Sequence, residues 1–274
     1  MVHETRLKAA VVLGGFVVSL LLTSTICAQT PSQRAWQILK AAAGGSNAGE
    51  RAAAISVLEL TPGNPDAQAM AEKALSDPKP EVRAAAAEAL GGIGASSSIP
   101  ALKNAVKDPE ITVVVAAAKA LHDLKDPAAY EVYYAILTGE RKSGDSLVES
   151  QKKMLSDPKK MAQVGFAAGV GFIPFAGLGL GALKTVTKDD VSPVRAAATK
   201  ILASDPDPKS ADALVAASTD KSWIVRVAAL DAIAHRGDPA LVDRIHARLD
   251  DEKDLVRFIA AATIIRLTSS RADQ

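Results

Sequence analysis

The chain has 274 residues, 48% of them hydrophobic, with 32 basic residues against 31 acidic ones. That is enough apolar material for a substantial core, and the near balance of charge withholds the basic surface that nucleic-acid binding requires. One cysteine, Cys27, excludes an internal disulfide framework and a thiolate metal site.

In chain order, the first feature is a leader. Arg6 and Lys8 precede an uncharged run from Ala9 to Leu22, and small residues follow up to Ala28. This is the layout of a secretory signal peptide, with cleavage expected between Ala28 and Gln29. Counted through Ala28 the run is long enough that an uncleaved anchor stays open. Lipidation at Cys27 is disfavoured, because Ile26 stands where a small residue is wanted. Removing Arg6, Lys8 and Glu4 with the leader leaves 30 basic and 30 acidic residues, hence no net charge.

Beyond the leader a phrase recurs. Asp77 to Leu90 reads DPKPEVRAAAAEAL and Asp108 to Leu121 reads DPEITVVVAAAKAL. DDVSPVRAAATKIL from Asp189, DKSWIVRVAALDAI from Asp220 and DEKDLVRFIAAATI from Asp251 align with them without gaps. Arg195, Arg226 and Arg257 are spaced 31 apart, Arg83 lies 31 before its counterpart Val114, and a weaker copy puts Arg51 a further 32 back. A fixed period of this size means stacked supersecondary units, none of which can bury its apolar face alone. Apolar residues such as Val82, Ala86, Ala89 and Leu90 keep helical spacing. A second helical segment precedes each phrase, at Ala67–Leu75, Pro100–Val106, Ser210–Ala217 and Ala240–Leu249. DPKP, Gly91-Gly92, DPDP and Gly237-Asp238-Pro239 read as the turns between helices. The fold class predicted is an all-α solenoid of stacked antiparallel helix pairs.

The Asp-x5-Arg pair embedded in V-R-x-A-A resembles the HEAT-repeat family, in the short form also seen in phycobilin lyases. The resemblance covers most of Pro31 to Thr268. It implies a ladder of hydrogen bonds between successive repeats, carried here by Asp77 with Arg83, Asp189 with Arg195, Asp220 with Arg226, and Asp251 with Arg257. Asp108 has Val114 where the arginine should stand, so an interruption is expected there.

The period breaks once. Between Val114 and Arg195 lie 50 residues more than one repeat requires. Ala128 to Leu137 fills the first-helix slot of a fourth repeat and holds all three tyrosines, Tyr130, Tyr133 and Tyr134. A charged stretch follows, Glu140 to Lys160, and then Met161 to Leu183, which has no charged residue, six glycines and the aromatics Phe166, Phe172 and Phe175. Three readings stand. SDPKKMAQVGFAAGVG follows the SDPKPEVRAAAAEALG pattern, which makes the segment an enlarged, degenerate repeat. A large apolar surface also suits a partner, and the length suits membrane insertion, although Pro174 interrupts its middle. The chain therefore divides into a signal peptide (1–28), N-terminal repeats (29–138), an insertion (139–181), C-terminal repeats (182–268) and a tail (269–274).

Chemistry finds no constellation. HEAT-like di-iron hydroxylases hold iron with His-Glu pairs, and the chain expected after cleavage contains none. His122, His235 and His246 lack partners at metal-ligand spacing, and no nucleophile elbow, phosphate loop or dinucleotide fingerprint is present. No cofactor and no catalytic activity are expected. Glu88, Lys119, Lys200 and Asp231 share one slot of the repeat and should form a solvent-facing row along the concave face of the second helices, turned either to a partner or to water alone. Trp36 is placed to cap the open end of the core, and Trp223 stands in a turn.

The sequence thus predicts an exported, non-catalytic scaffold that binds another protein, periplasmic or secreted, with Phe172, Phe175, Trp223, Tyr130, Tyr133 and Tyr134 as candidate contacts. A membrane-associated envelope protein docking through Met161–Leu183 is the alternative, and a lyase-type enzyme stands behind both.

Overall fold

A computed structural model describes residues 29–138 and 192–269. The leader, the insertion with Met161–Leu183, Phe172 and Phe175, and the residue Asp189 lie outside the described residues.

Helix pairs follow one another as the period predicts. The N-terminal half contains α1 (Pro31–Ala43), α2 (Ala48–Ser56) with a 3-10 turn at Val57–Leu60, α3 (Pro65–Ala74), α4 (Pro80–Ile93), α5 (Ile99–Ala105), α6 (Ile111–Asp123) and α7 (Ala128–Thr138). The C-terminal half contains α8 (Ser192–Leu202), α9 (Pro208–Ala217), α10 (Trp223–Arg236), the short α11 (Val242–Ile245) between 3-10 turns, and α12 (Asp254–Ser269). Among the described residues there is no β-strand.

Local chemistry sets the boundaries. Thr30 caps α1 with a reciprocal capping box to Gln33, and Asn47, Asn64 and Asp207 cap α2, α3 and α9. Proline occupies the first turn of α1, α3, α4 and α9, where its missing N–H would have had no partner. Among the described residues, the aspartate that opens a recurring phrase sets the turn into the second helix. Asp77 accepts from the Lys79 N–H at 2.8 Å, Asp108 from Glu110 at 2.9 Å, Asp220 from Ser222 at 2.9 Å and Asp251 from Lys253 at 3.0 Å.

Gly91-Gly92 departs from expectation. Both lie inside α4, which ends instead at Gly94 with a left-handed φ of 78°. The pair is there for contact: a Cβ on Gly91 would come within 2.9 Å of the Ala120 Cα, and one on Gly92 within 2.5 Å of the Glu59 Cβ. Two neighbouring layers press on one turn of helix, and only glycine leaves room for both.

The second helices form the stack. In the N-terminal half α4 lies between α2 and α6; in the C-terminal half α10 lies between α8 and α12. The halves then join through the two ends of the chain, since α12 packs against α1, α2 and the Val57–Leu60 turn. The order in space is therefore α8, α10, α12, then α1 with α2, α4 and α6. One continuous core, from Ala35 and Leu39 through Leu90 and Leu121 to Leu230, Ile259 and Ile264, runs across the joint. Each fully buried leucine or isoleucine in it contributes about 1.5–3 kcal/mol. Trp36 accordingly does not close an open end: it sits half-buried in α1, on the helix that meets α12, with Lys40 5.4 Å above its ring.

Candidate functional site

Three arrangements come out of this stack: the ladder in the turns, a charged face across the joint, and an exposed aromatic stripe on α7.

The ladder joins layers. Arg51 grips Asp77 through Nε and Nη2 at 2.8 and 2.9 Å, and Arg83 grips Asp108 at 2.7 and 2.8 Å. Arg195 binds Asp220, and Arg226 Nη2 reaches Asp251 at 2.8 Å. Each carboxylate thus belongs to the repeat after its arginine. Within its own repeat the arginine donates to the aspartate's backbone carbonyl instead, Arg83 to Asp77, Arg226 to Asp220 and Arg257 to Asp251, each at 2.9 Å. The fork of the guanidinium suits this double task. Its hydrogen bond from Arg51 holds the Asp77 carboxyl below its ordinary value. Asp108 keeps its rung despite Val114, which is itself buried, because its arginine comes from the repeat before. Sequence reasoning left Arg51 and Asp108 out, although the 32-residue spacing of Arg51 was the signal that places it in the ladder.

Arg226 and Asp251 are the deepest pair, with 8% and 5% of their side chains exposed. Arg226 Nε is the one buried side-chain polar atom among the described residues that has no hydrogen-bond partner. Arg257, at the end of the phrase series, turns to Asp254 on its own helix.

The row of Glu88, Lys119, Lys200 and Asp231 shares one face, with a correction. Glu88, Lys119 and Lys200 are exposed, but Asp231 is buried at 9%, on the helix that meets the Val57–Leu60 turn of the other half. Glu59 and Arg266, which no repeat slot singled out, complete the row where the halves meet. Arg266 donates to the Leu60 carbonyl at 3.2 Å across the joint. Desolvation pushes Glu59 up to about 7, with the Glu88 and Asp231 carboxylates adding to the shift and Lys119 opposing it. Desolvation also raises the buried Asp231, against the pull of His235, Lys200 and Arg266. Lys119 Nζ meets Asp123 at 2.8 Å at the far end.

The aromatic stripe adjoins that end. Tyr130, Tyr133, Tyr134 and Leu137 follow the i, i+3, i+4, i+7 spacing of one helix face, and they are 66%, 37%, 61% and 85% exposed. The opposite side of α7 packs on α6, with Ala129 buried there. His122 meets the Tyr130 ring edge-on at 6.0 Å, and these two with Asp123, Lys125 and Asp126 line a shallow depression. Trp223 is different from the tyrosines: it opens α10 and packs half-buried against the core.

The remaining histidines are locally engaged, His235 Nδ1 donating to the Asp231 carbonyl at 2.9 Å and His246 Nδ1 to the Asp243 carbonyl at 2.8 Å. Among the described residues no group of three histidine, cysteine or acidic side chains is placed to hold a metal. No described helix is long and apolar enough to cross a membrane.

Comparison with protein-family models finds HEAT repeats at residues 35–122, 67–143 and 180–272. The chain belongs to the HEAT-repeat family. Its HEAT repeats account for the helix pairs and for the period of the arginine–aspartate ladder, since stacked layers need their interlayer polar groups satisfied. Comparison with curated proteins gives no match. Among solved structures, human deoxyhypusine hydroxylase in complex with glycerol is 21% identical over 88% of this chain and 86% of that one, with a TM-score of 0.30. The complex of CpcE and CpcF of phycocyanin lyase from Nostoc sp. PCC7120 is 20% identical over 93% of this chain and 98% of that one, with a TM-score of 0.33.

Proposed function

We propose that this HEAT-repeat chain is an exported, non-catalytic scaffold that binds another protein in the periplasm or outside the cell, with α7 as its contact helix. The observation that carries the reading is the stripe of Tyr130, Tyr133, Tyr134 and Leu137, whose exposed side chains no described helix covers. Tyrosines give large contact area at low entropic cost and keep a polar tip for hydrogen bonding, which is why they are enriched at interfaces. The stripe lies beside His122, Asp123 and Lys119, so an apolar anchor comes with a charged rim. Export rests on the leader, and the absence of catalysis on the lack of a paired acid, base or nucleophile in the sequence.

A photo-crosslinking residue at Tyr134, compared with one at the exposed Lys73 on α3, tests the reading in cells carrying the full chain. A discrete adduct of fixed mass from Tyr134 and none from Lys73 is expected. No adduct, or the same adducts from both positions, overturns the assignment. Lipid adducts from the same crosslinking residue at Phe172, with none from Tyr134, would favour the alternative of membrane docking through Met161–Leu183.

A further inference from the structure

The depression beside the aromatic stripe has a strained rim. Helices α4 and α10 end at Gly94 and Gly237, each 17 residues past the aspartate that opens its phrase and each left-handed, with φ of 78° and 71°. The same slot at the end of α6 holds Lys125, with φ of 61°, the one described residue other than glycine with a positive φ. The closure is the one α4 uses: the Asp126 N–H donates to the Leu121 carbonyl at 2.8 Å, as the Ala95 N–H does to the Leu90 carbonyl at 3.1 Å. In that conformation a Cβ crowds the following carbonyl, a penalty that glycine escapes. Strain of this kind collects at binding sites.

Among the described residues nothing offsets that cost. Lys125 is exposed, and its ammonium forms no ion pair with any of them. The acids around it already have cations of their own: Asp123 meets Lys119 at 2.8 Å and Asp126 meets Lys103 at 3.0 Å. His122 turns Nδ1 to Asp123 at 3.5 Å and its ring to the edge of Tyr130. Of the five residues that line the depression, Lys125 is therefore the charge left without a counterpart. Glu131, the one charged residue of α7, lies about 100° round the helix from Tyr130 and does not line it.

We infer that Lys125 is the specificity residue of the α7 surface, placed to pair with a carboxylate of the bound protein. The segment that docks on Tyr130, Tyr133, Tyr134 and Leu137 then carries an aspartate or glutamate at the end that meets Tyr130. The inference rests on α7 being the contact helix and adds the chemistry of what it contacts. Because Lys125 stands at one end of the stripe, the pair fixes the direction in which the segment lies along the helix. A basic segment would meet Lys125 as a like charge and be turned away.

The test compares, in cells, the full chain carrying the photo-crosslinking residue at Tyr134 with the same chain carrying Lys125→Gly, Lys125→Arg or Lys125→Glu. Thermal unfolding of each purified protein is followed by circular dichroism. Lys125→Gly restores the residue of the other two caps, so its thermal midpoint should equal or exceed that of the unsubstituted chain. Its Tyr134 adduct should nevertheless fall by about two- to fivefold, the measure of one exposed ion pair. Lys125→Arg should keep the adduct and Lys125→Glu should lose it. A zero-length carbodiimide crosslink, read by mass spectrometry, should join Lys125 to an acidic residue of the protein that Tyr134 captures. An unchanged adduct in Lys125→Gly, a stronger one in Lys125→Glu, or an adduct loss matched by a lower thermal midpoint would overturn the inference and leave α7 as the contact helix. No adduct in the unsubstituted chain would overturn the contact-helix reading, and this inference with it.

Discussion

Two helices of this chain have exchanged the places their positions in sequence suggest. Helix α12 is the last described element, yet it lies inside the stack, with α10 on one side and α1 on the other. Helix α7 is near the middle of the chain, yet one face of it is bare, with Leu137 85% exposed. The contrast shows in composition. From Val256 to Leu267 nearly every residue of α12 is buried, including the polar Thr263, whose hydroxyl donates to the Leu230 carbonyl at 3.1 Å. A helix apolar on all sides must be covered on all sides. In α7 the apolar character is aromatic and one-sided, and only Ala129 is fully buried. Position in a repeat protein is set by neighbours in space, and the ends of a chain are not necessarily the ends of its stack.

The strongest way to break this contrast is to end the chain before Asp254. Removing α12 strips the core of both halves, and cooperative urea unfolding, followed by circular dichroism, should be lost. Replacing residues 124–191, α7 among them, with a flexible linker of the same length should leave a cooperative transition; its loss would mean that α7 is no edge.

Point substitutions sharpen the comparison. Arg226→Ala leaves the Asp251 carboxylate, 5% exposed, without its partner and should cost about 3–5 kcal/mol in urea unfolding. Ile259→Ala in α12 removes a fully buried side chain and should cost about 2–5 kcal/mol. Gly92→Ala drives a methyl against Glu59 in the joint and should cost about 1–3 kcal/mol, with a lower thermal midpoint. Leu137→Ala on the bare face should change stability by no more than about 0.5 kcal/mol, while weakening the crosslink from Tyr134. A large destabilisation by Leu137→Ala would show that the α7 face is core. Wild-type stability should also fall as pH rises from 4.5 to about 7, with part of that slope gone in Glu59→Gln.

Much of the architecture was legible in the residues. The recurring phrase, with aspartate to build the turn and arginine to tie the layers, determines helix pairs and their nearest-neighbour stacking, because both tasks are local or reach one repeat away. Even so the rungs ran one repeat further than the phrase suggested: the same arginine takes a carbonyl at home and a carboxylate next door, and spacing alone does not tell those apart. Gly91-Gly92 misled for a related reason, since glycine marks close approach as well as turns, and only the proximity of Ala120 and Glu59 distinguishes the two.

The recurring residues alone specify the all-helical repeat and the arginine and aspartate slots from which its ladder is built. Packing in space sets α12 between α10 and α1, and therefore which apolar faces of the described helices are covered. The contact of Arg266 with the Leu60 carbonyl spans 206 residues and uses a backbone acceptor, so it leaves no period and no residue-type signature. Contacts of that kind arise from shape and buried area at the joint, and they bring Glu59 and Asp231 together across a gap that no repeat unit measures.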